Sequence, residues 1–215
     1  NQFKKINLNV LNIYCSSYVK SIHYNKNFKT KKNLIFLDIG FERTSAVFLK
    51  KNVFQFLNSI PIGGNNITKD ISKVLKLSNS YSEKLKITFN VKENNNFFDH
   101  SISNLYSEIA KNNISVDLLK QIIDARVDEI IELVTLNKSY YKKIYKLDKP
   151  TIIFIGNGSK LLSDNNKLKS KIFLSKLVFF KENDSMICDA GIHYLRSEER
   201  FFTQNRKKPK KTGFF

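Results

Sequence analysis

The sequence predicts an α/β fold on the strength of two kinds of pattern. Apolar runs bounded by turn residues, typical of buried strands, lie at residues 33–40, 44–50, 53–64, 151–156 and 177–180. Apolar residues at helical spacing lie at residues 65–77, 82–86, 117–143 and 184–197. Strands and helices are therefore both expected: three strands come first, helices follow, and two further strands precede the closing helix.

The order of the first elements is set by turn residues. The run at 33–40 ends in Asp-Ile-Gly, and Lys51-Asn52 separates the next two runs as a hairpin turn. Gly63-Gly64 ends the third strand. The chain is then helical from Asn65 to about Lys92, with Ser80 or Ser82 as the N-cap of its second part.

The longest predicted helix begins near Ser115 or Asp117 and continues to about Lys143. Pro150 lies beyond its end and cannot continue a helix. The apolar residues of this helix recur at spacings of three and four and so share one face; they are Leu119, Ile123, Val127, Ile130 and Val134. Residues 8–25 predict a strand followed by a helix, and the Asn-rich residues 93–104 predict a loop.

Composition limits the class of protein without identifying a partner. Hydrophobic residues make up 41 % of the 215 residues, enough for one or two domains with a core. The formal net charge of +18 suits nucleic acid or an anionic membrane, but richness in Lys, Asn and Ile is also typical of A/T-rich genomes, and both explanations stay open. Cys15 and Cys188 form no metal-ligating cluster, and no apolar run approaches the roughly 20 residues that span a bilayer.

Four motifs carry candidate chemistry. Asp38-Ile39-Gly40 ends a strand, and residues 156–159 (Gly-Asn-Gly-Ser) follow another, where glycines let the backbone approach a ligand closely. Gly63-Gly64 precedes a helix with Thr68 and Asp70 in its first turns, where an acidic residue suits the helix dipole. Glu83 and Lys86 share a helix face. The alternatives are a turn that needs glycine at Gly40, a helix cap at Asp70, and an exposed ion pair between Glu83 and Lys86.

The Asp-Ile-Gly strand beside a hairpin, followed by Ile-Pro-Ile-Gly-Gly-x-x-Ile-Thr-x-Asp-Ile, resembles the second half of FtsA, the bacterial protein that ties the division ring to the membrane. The resemblance implies an actin-like, ribonuclease-H-type α/β fold. It assigns residues 1–32 to the end of the first lobe, 33–64 and 148–200 to the second-lobe core, 65–147 to an inserted helical subdomain, and 201–215 to a basic tail. Because the resemblance starts partway through the family's length, we interpret the chain as a fragment or truncated product.

The resemblance also implies a site for ATP and Mg²⁺. Asp38 would orient magnesium-bound water, and Gly40, Thr44 and Gly64 would flank the phosphates. Glu83 and Lys86 would reach the ribose and adenine, and Gly156, Asn157, Gly158 and Ser159 would pack against the adenine, with Asn157 tolerating positive φ. The chain departs from the family at Phe41 and Glu42, which replace glycines, and Glu42 would repel phosphate oxygens. We therefore expect weak or no ATPase activity.

The same resemblance implies partners. Arg126 and Glu129 would receive the acidic C-terminal tail of FtsZ, the alternative being a solvated ion pair between them. Self-association into filaments, and contact with the inner membrane through the C-terminal tail, would place the protein on the cytoplasmic face at the division site. The alternative function is a degenerate scaffold lobe that only binds protein. A pilus-assembly relative and a basic nucleic-acid binder are further alternatives, although no nucleic-acid reader motif is evident.

Overall fold

The structure is a computed structural model that describes residues 2–10, 12–28, 33–94, 114–135, 150–162, 176–180, 182–183 and 185–206. The chain forms two compact units. One joins Asn1–Thr30 with Asn183–Phe215, and the other is Lys31–Glu182. The predicted division into lobe core, inserted subdomain and tail stays a prediction.

The larger unit is built on a five-stranded mixed sheet. Its strands are β1 (Asn33–Ile39), β2 (Thr44–Lys50), β3 (Val53–Ile60), β4 (Thr151–Ile155) and β5 (Lys176–Phe179). The spatial order is β3-β2-β1-β4-β5, with β1-β2 and β2-β3 antiparallel and β1-β4 and β4-β5 parallel. Lys51 and Asn52 have φ of 50° and 67°, as a two-residue hairpin turn requires, so the predicted hairpin is confirmed.

The α-helices of the described residues are α1 (Gln2–Lys5), α2 (Ser16–Asn25), α3 (Gly64–Leu75), α4 (Asn79–Asn94), α5 (Val116–Thr135) and α6 (Met186–Arg206). Short 3₁₀ helices follow at Lys26–Phe28 and Asn157–Leu162. None of the helices in this part of the chain combines the length and apolar character needed to cross a membrane.

The main core lies between one face of the sheet and helices α3, α4 and α5. Alternate residues of β1, namely Ile35, Leu37 and Ile39, point into it. The predicted apolar stripe of α5 is confirmed, because every one of its members is buried: Leu119, Ile123, Val127, Ile130 and Val134. This packing fixes α3 and α4 against the end of the sheet where β1 terminates.

Several predicted boundaries were wrong. The predicted division of residues 65–92 into two helices, at 65–77 and 82–86, is confirmed, but the boundary lies earlier. Lys76 adopts a left-handed conformation (φ 53°) and ends α3, and α4 begins at Asn79. The second helix is capped by Ser78, whose hydroxyl accepts the backbone N–H of Tyr81 at 3.2 Å; neither Ser80 nor Ser82 caps it. The helix continues through Asn94, so the loop expected at 93–104 does not begin at 93, and residues 95–104 lie outside the described residues.

The ends of the chain also differ from expectation. No strand is found in residues 8–10 or 12–15, where a strand was predicted, because tertiary pairing partners rather than local propensity decide strand formation. The closing helix extends to Arg206, nine residues beyond the predicted end at 197. The predicted helix end near Lys143 and the tail at 207–215 lie outside the described residues.

The smaller unit pairs α2 with α6 through aromatic and histidine contacts. Tyr194 makes edge-to-face contacts with Tyr14 and Tyr18, with ring centroids 5.1 and 5.7 Å apart. The rings of His23 and His193 lie 5.3 Å apart, and His193 is hydrogen-bonded to the Lys26 ammonium.

His23 is the titratable group most affected by this packing. Burial lowers its pKa below the ordinary value, the nearby Lys26 charge lowers it further, and Asp189 partly opposes both. Its Nδ1 atom is buried and has no hydrogen-bond partner among the described residues. The folded unit therefore favours a neutral imidazole at this position.

Candidate functional site

The candidate site lies at the edge of the sheet where β1 and β4 end. These strands are parallel neighbours, with Asp38 beside Ile155, so their carboxyl ends meet at the same edge. Ligands of open α/β sheets bind outside the carboxyl ends of the strands. Asp38, predicted to orient magnesium-bound water, is buried at this edge, with 7 % of its surface exposed.

The turn after β4 packs directly onto the end of β1. Gly156 has φ +83°, and a Cβ there would lie 2.6 Å from Asp38 Oδ1 and 2.5 Å from the Ile39 carbonyl oxygen. A Cβ on Gly158 would lie 2.5 Å from Ile39 Cγ2. A side chain at Gly158 would therefore meet Ile39 of the same chain.

Other polar groups of this turn are also bonded within the chain. The Ser159 hydroxyl donates to the Gly156 carbonyl at 2.6 Å, and the Gly156 N–H donates to Glu182 at 2.5 Å. Asn157 is exposed but has no positive φ, so the left-handed residue of the turn is Gly156 and the reason given for Asn157 was wrong. Glu182 lies 26 residues from Gly156, and no local pattern pointed to it.

The turn between β1 and β2 lies over the N-terminus of α3. The Gly64 N–H donates to the Gly40 carbonyl at 2.9 Å, and the Asn65 N–H donates to the Phe41 carbonyl at 2.7 Å. A Cβ on Gly63 would lie 2.6 Å from both of those carbonyl oxygens. The glycine pair therefore allows the helix to start against the turn without a side chain between them.

Other polar groups around this turn are also bonded within the chain. The Gly40 N–H donates to the Arg43 carbonyl at 2.9 Å. The Asn66 side chain accepts the Gly63 N–H at 3.0 Å and so caps α3. The exposed Glu42 carboxylate accepts a hydrogen bond from the Asn65 side chain at 2.8 Å.

Thr44 joins two strands of the sheet through its side chain. It is completely buried, and its hydroxyl donates to the Ile62 carbonyl at 2.8 Å. A hydroxyl in that position holds β2 to the end of β3. Its contact with a nucleotide stays a prediction that this geometry does not favour.

Lys86 is the centre of a buried polar cluster. Its ammonium donates to the Gly64 carbonyl at 3.0 Å, the Thr68 hydroxyl at 2.9 Å and the Glu83 carboxylate at 2.7 Å. It also lies 5.6 Å from the centre of the Phe41 ring. The Lys86 side chain is 7 % exposed and that of Glu83 31 %, so the carboxylate is the member of the pair that solvent reaches. The ion pair that was the alternative to a nucleotide-binding role is present, but it is not an exposed pair.

Arg126 bridges α3 and α5. Its guanidinium donates to both oxygens of Asp70, at 2.6 and 2.9 Å, and to Glu129 at 2.5 Å. The hydrogen bond to Asp70 is the main reason that the pKa of Arg126 is raised above its ordinary value. The helix-cap interpretation of Asp70 was wrong, since Asp70 lies in the second turn of α3 and binds this arginine. The expected Arg126–Glu129 pair is present but is only part of the cluster.

The residues at the sheet edge fit the nucleoside end of a nucleotide better than its phosphates. Glu83 offers a solvent-accessible acceptor to ribose hydroxyls, and Asn157 is exposed on the opposite turn. A phosphate needs free donors, but the N–H groups of Gly40, Gly64 and Gly156 already bond to acceptors of the chain. Asp38 is the carboxylate that would reach Mg²⁺ through water.

Comparison with known proteins agrees with the resemblance found in the sequence. The sequence profile of the family "Cell division protein FtsA" matches residues 35–186. The Cell division protein FtsA of Streptococcus pneumoniae is 25 % identical over 173 residues, which cover 78 % of this chain and 36 % of that protein. The chain thus spans about a third of the length of this curated relative.

Solved structures confirm the predicted fold. MreB 5 of Spiroplasma citri, solved bound to AMPPNP, superposes with a TM-score of 0.60 at 15 % identity, over 94 % of this chain and 64 % of that one. Ta0583, an archaeal actin homolog, gives a TM-score of 0.56 at 12 % identity, over 86 % and 53 % of the two chains. The fold is therefore actin-like.

Proposed function

The chain belongs to the FtsA family of cell division proteins, and we propose that it binds adenine nucleotide at the sheet edge where β1 and β4 end. The observation that carries this proposal is the Glu83–Lys86–Thr68 cluster, in which the fold brings Thr68 of α3 to the Glu83–Lys86 pair of α4. Glu83 would accept hydrogen bonds from the ribose hydroxyls, and Lys86 would hold Glu83 in place. A relative of the same fold has been solved with AMPPNP.

Hydrolysis is not part of this proposal. Phosphoryl transfer is catalysed mainly by positioned charge around the phosphates, and the N–H groups of Gly40, Gly64 and Gly156 are engaged within the chain. We expect ATP to be bound without appreciable turnover. Mg²⁺ would be held through water by Asp38.

The family also supports a role as an assembly protein. We propose that the complete protein forms filaments, binds the C-terminal tail of FtsZ and acts at the cytoplasmic face of the inner membrane. For the FtsZ tail, Arg126 is already paired with Asp70 and Glu129, so an acidic peptide would have to displace Glu129, the more exposed partner. Contact with the membrane surface rests on the sequence of the tail alone.

A second candidate function is a scaffold lobe that binds protein and no nucleotide. The observation favouring it is that three backbone N–H groups at the two glycine turns already have acceptors within the chain. It differs from the first candidate in one measurable property, the affinity for nucleotides.

Isothermal titration calorimetry of the 215-residue chain with ADP and ATP tests these candidates. Glu83→Gln is the site variant, and Glu132→Gln, an exposed change of the same charge on α5, is its matched control. We expect binding to the unchanged chain and to the control, and weaker binding to Glu83→Gln. Binding of an acidic FtsZ-tail peptide without any nucleotide binding would support the scaffold instead.

A further inference from the structure

We infer that Glu42 is a specificity residue that disfavours ligands with terminal phosphates, so that the site selects adenosine or its monophosphate over the triphosphate. The inference rests on the proposed nucleotide site and adds which part of the ligand that site accepts. It depends on the position of Glu42, on the N–H groups around it, and on the other carboxylates at the two turns.

The Glu42 carboxylate is held at the start of α3. The turn that carries it is fixed to the helix, because the N–H groups of Gly64 and Asn65 donate to the carbonyls of Gly40 and Phe41. The Asn65 side chain then donates to Glu42 at 2.8 Å. A helix N-terminus is where an anion is stabilised by the helix dipole, and here the chain supplies that anion itself.

Several backbone N–H groups that could bind a phosphate are engaged at the two turns. At the β1–β2 turn, the acceptors for Gly40, Gly64 and Asn65 are carbonyls of the turn itself. At the turn after β4, the N–H of Gly156 bonds to the carboxylate of Glu182. A phosphate that binds these N–H groups would have to displace their acceptors within the chain, one of which is the Glu182 carboxylate.

Carboxylates lie at both turns. Asp38 is buried at the end of β1, Glu42 follows it in the turn beside the exposed Arg43, and Glu182 bonds to Gly156. The buried ammonium of Lys86 is paired with Glu83. Like charges at short range repel, and each phosphate added to a nucleoside increases that repulsion. Selection of this kind works by a repulsive element against the wrong ligand.

Calorimetry at low salt and without Mg²⁺ tests the inference. Adenosine, AMP, ADP and ATP are titrated into the unchanged chain, into Glu42→Gln, which keeps an oxygen to accept from Asn65, and into Glu132→Gln as the control of equal charge. The expected affinity of the unchanged chain falls from adenosine to ATP. Glu42→Gln should raise the affinity for ATP about three- to tenfold and leave that for adenosine unchanged, and high salt should reduce the gain.

The outcomes separate the inference from the proposed function. If ATP binds the unchanged chain and Glu42→Gln equally, or if Glu132→Gln gives the same gain, Glu42 does not select ligands and the inference is overturned while nucleotide binding stands. If none of the ligands binds any of the proteins, the proposed nucleotide site is wrong and the inference falls with it.

Discussion

Lys86 should be a major source of stability for the larger unit, and Lys86→Met tests this. Its ammonium donates three hydrogen bonds, to Gly64, Thr68 and Glu83, from a side chain that is 7 % exposed. Methionine keeps most of the aliphatic stem and removes the charged donor. The variant therefore isolates the polar cluster from the packing of the side chain.

The expected loss follows from these contacts. Hydrogen bonds to a charged group contribute about 1.5–3 kcal/mol each, but the contributions overlap, and Glu83 is exposed enough to be hydrated once Lys86 is gone. We expect the free energy of unfolding to fall by about 2–4 kcal/mol. For a protein of this size, that corresponds to a melting temperature lower by roughly 5–15 °C.

Thermal and urea unfolding followed by far-ultraviolet circular dichroism measure the effect. The matched control is Lys84→Met, the same replacement at an exposed position of the same helix, which should change stability by no more than about 0.5 kcal/mol. If Lys86→Met melts at the same temperature as Lys84→Met, the buried cluster does not stabilise the fold and the account of its hydrogen bonds is incorrect.

Three further predictions concern the remaining parts of the structure. A double-mutant cycle with Asp70→Asn and Arg126→Gln should give a coupling energy of about 1 kcal/mol in urea unfolding. If the two substitutions change the free energy of unfolding additively, the bridge between α3 and α5 is not formed in solution. Because the pKa of His23 is lowered in the folded state, the unfolded chain binds more protons as the pH falls through about 6.5, so stability should be greater above this pH and decline below it. His23→Gln should make the melting temperature depend less on pH between 7.5 and 5.5. An unchanged dependence on pH would contradict the assignment to His23. Gly63→Ala should lower the free energy of unfolding by about 1–3 kcal/mol through overpacking. Gly191→Ala in α6, where a Cβ meets nothing within 4 Å, should raise it by about 0.5–1 kcal/mol. Equal melting temperatures of the two variants would refute the close approach at Gly63.

The features predicted from the sequence were those set by local pattern. The hairpin at Lys51-Asn52 and the buried stripe of α5 follow from turn chemistry and from a period of about 3.6 residues, and both are present. A break between α3 and α4 was predicted, but not its exact position, because a lysine in the left-handed conformation at Lys76 looks like any other helix residue in the sequence. Helix ends without glycine or proline are therefore poorly predicted.

The contacts that define the site depend on tertiary structure. Arg126 meets Asp70 across 56 residues, and Glu182 meets Gly156 across 26. Nothing in the spacing of these residues indicates that they pair, since the sheet order and the packing of α3 against α5 bring them together. The resemblance predicted that Asp38, Glu83 and Lys86 lie in one region. It did not predict the hydrogen bonds that hold Lys86.

The glycines of the two turns cannot report on ligand binding by substitution. A Cβ on Gly63, Gly156 or Gly158 would meet the backbone or side chains of this chain at 2.5–2.6 Å, so a larger residue would disturb the end of β1 whether or not a nucleotide binds there. Arg126→Glu has a similar defect as a test of FtsZ-tail binding, because it would place three carboxylates together and destabilise the junction of α3 and α5. Exposed side chains avoid this problem. Glu42→Gln preserves the backbone of its turn, so a change in ligand affinity in that variant reports on the site itself.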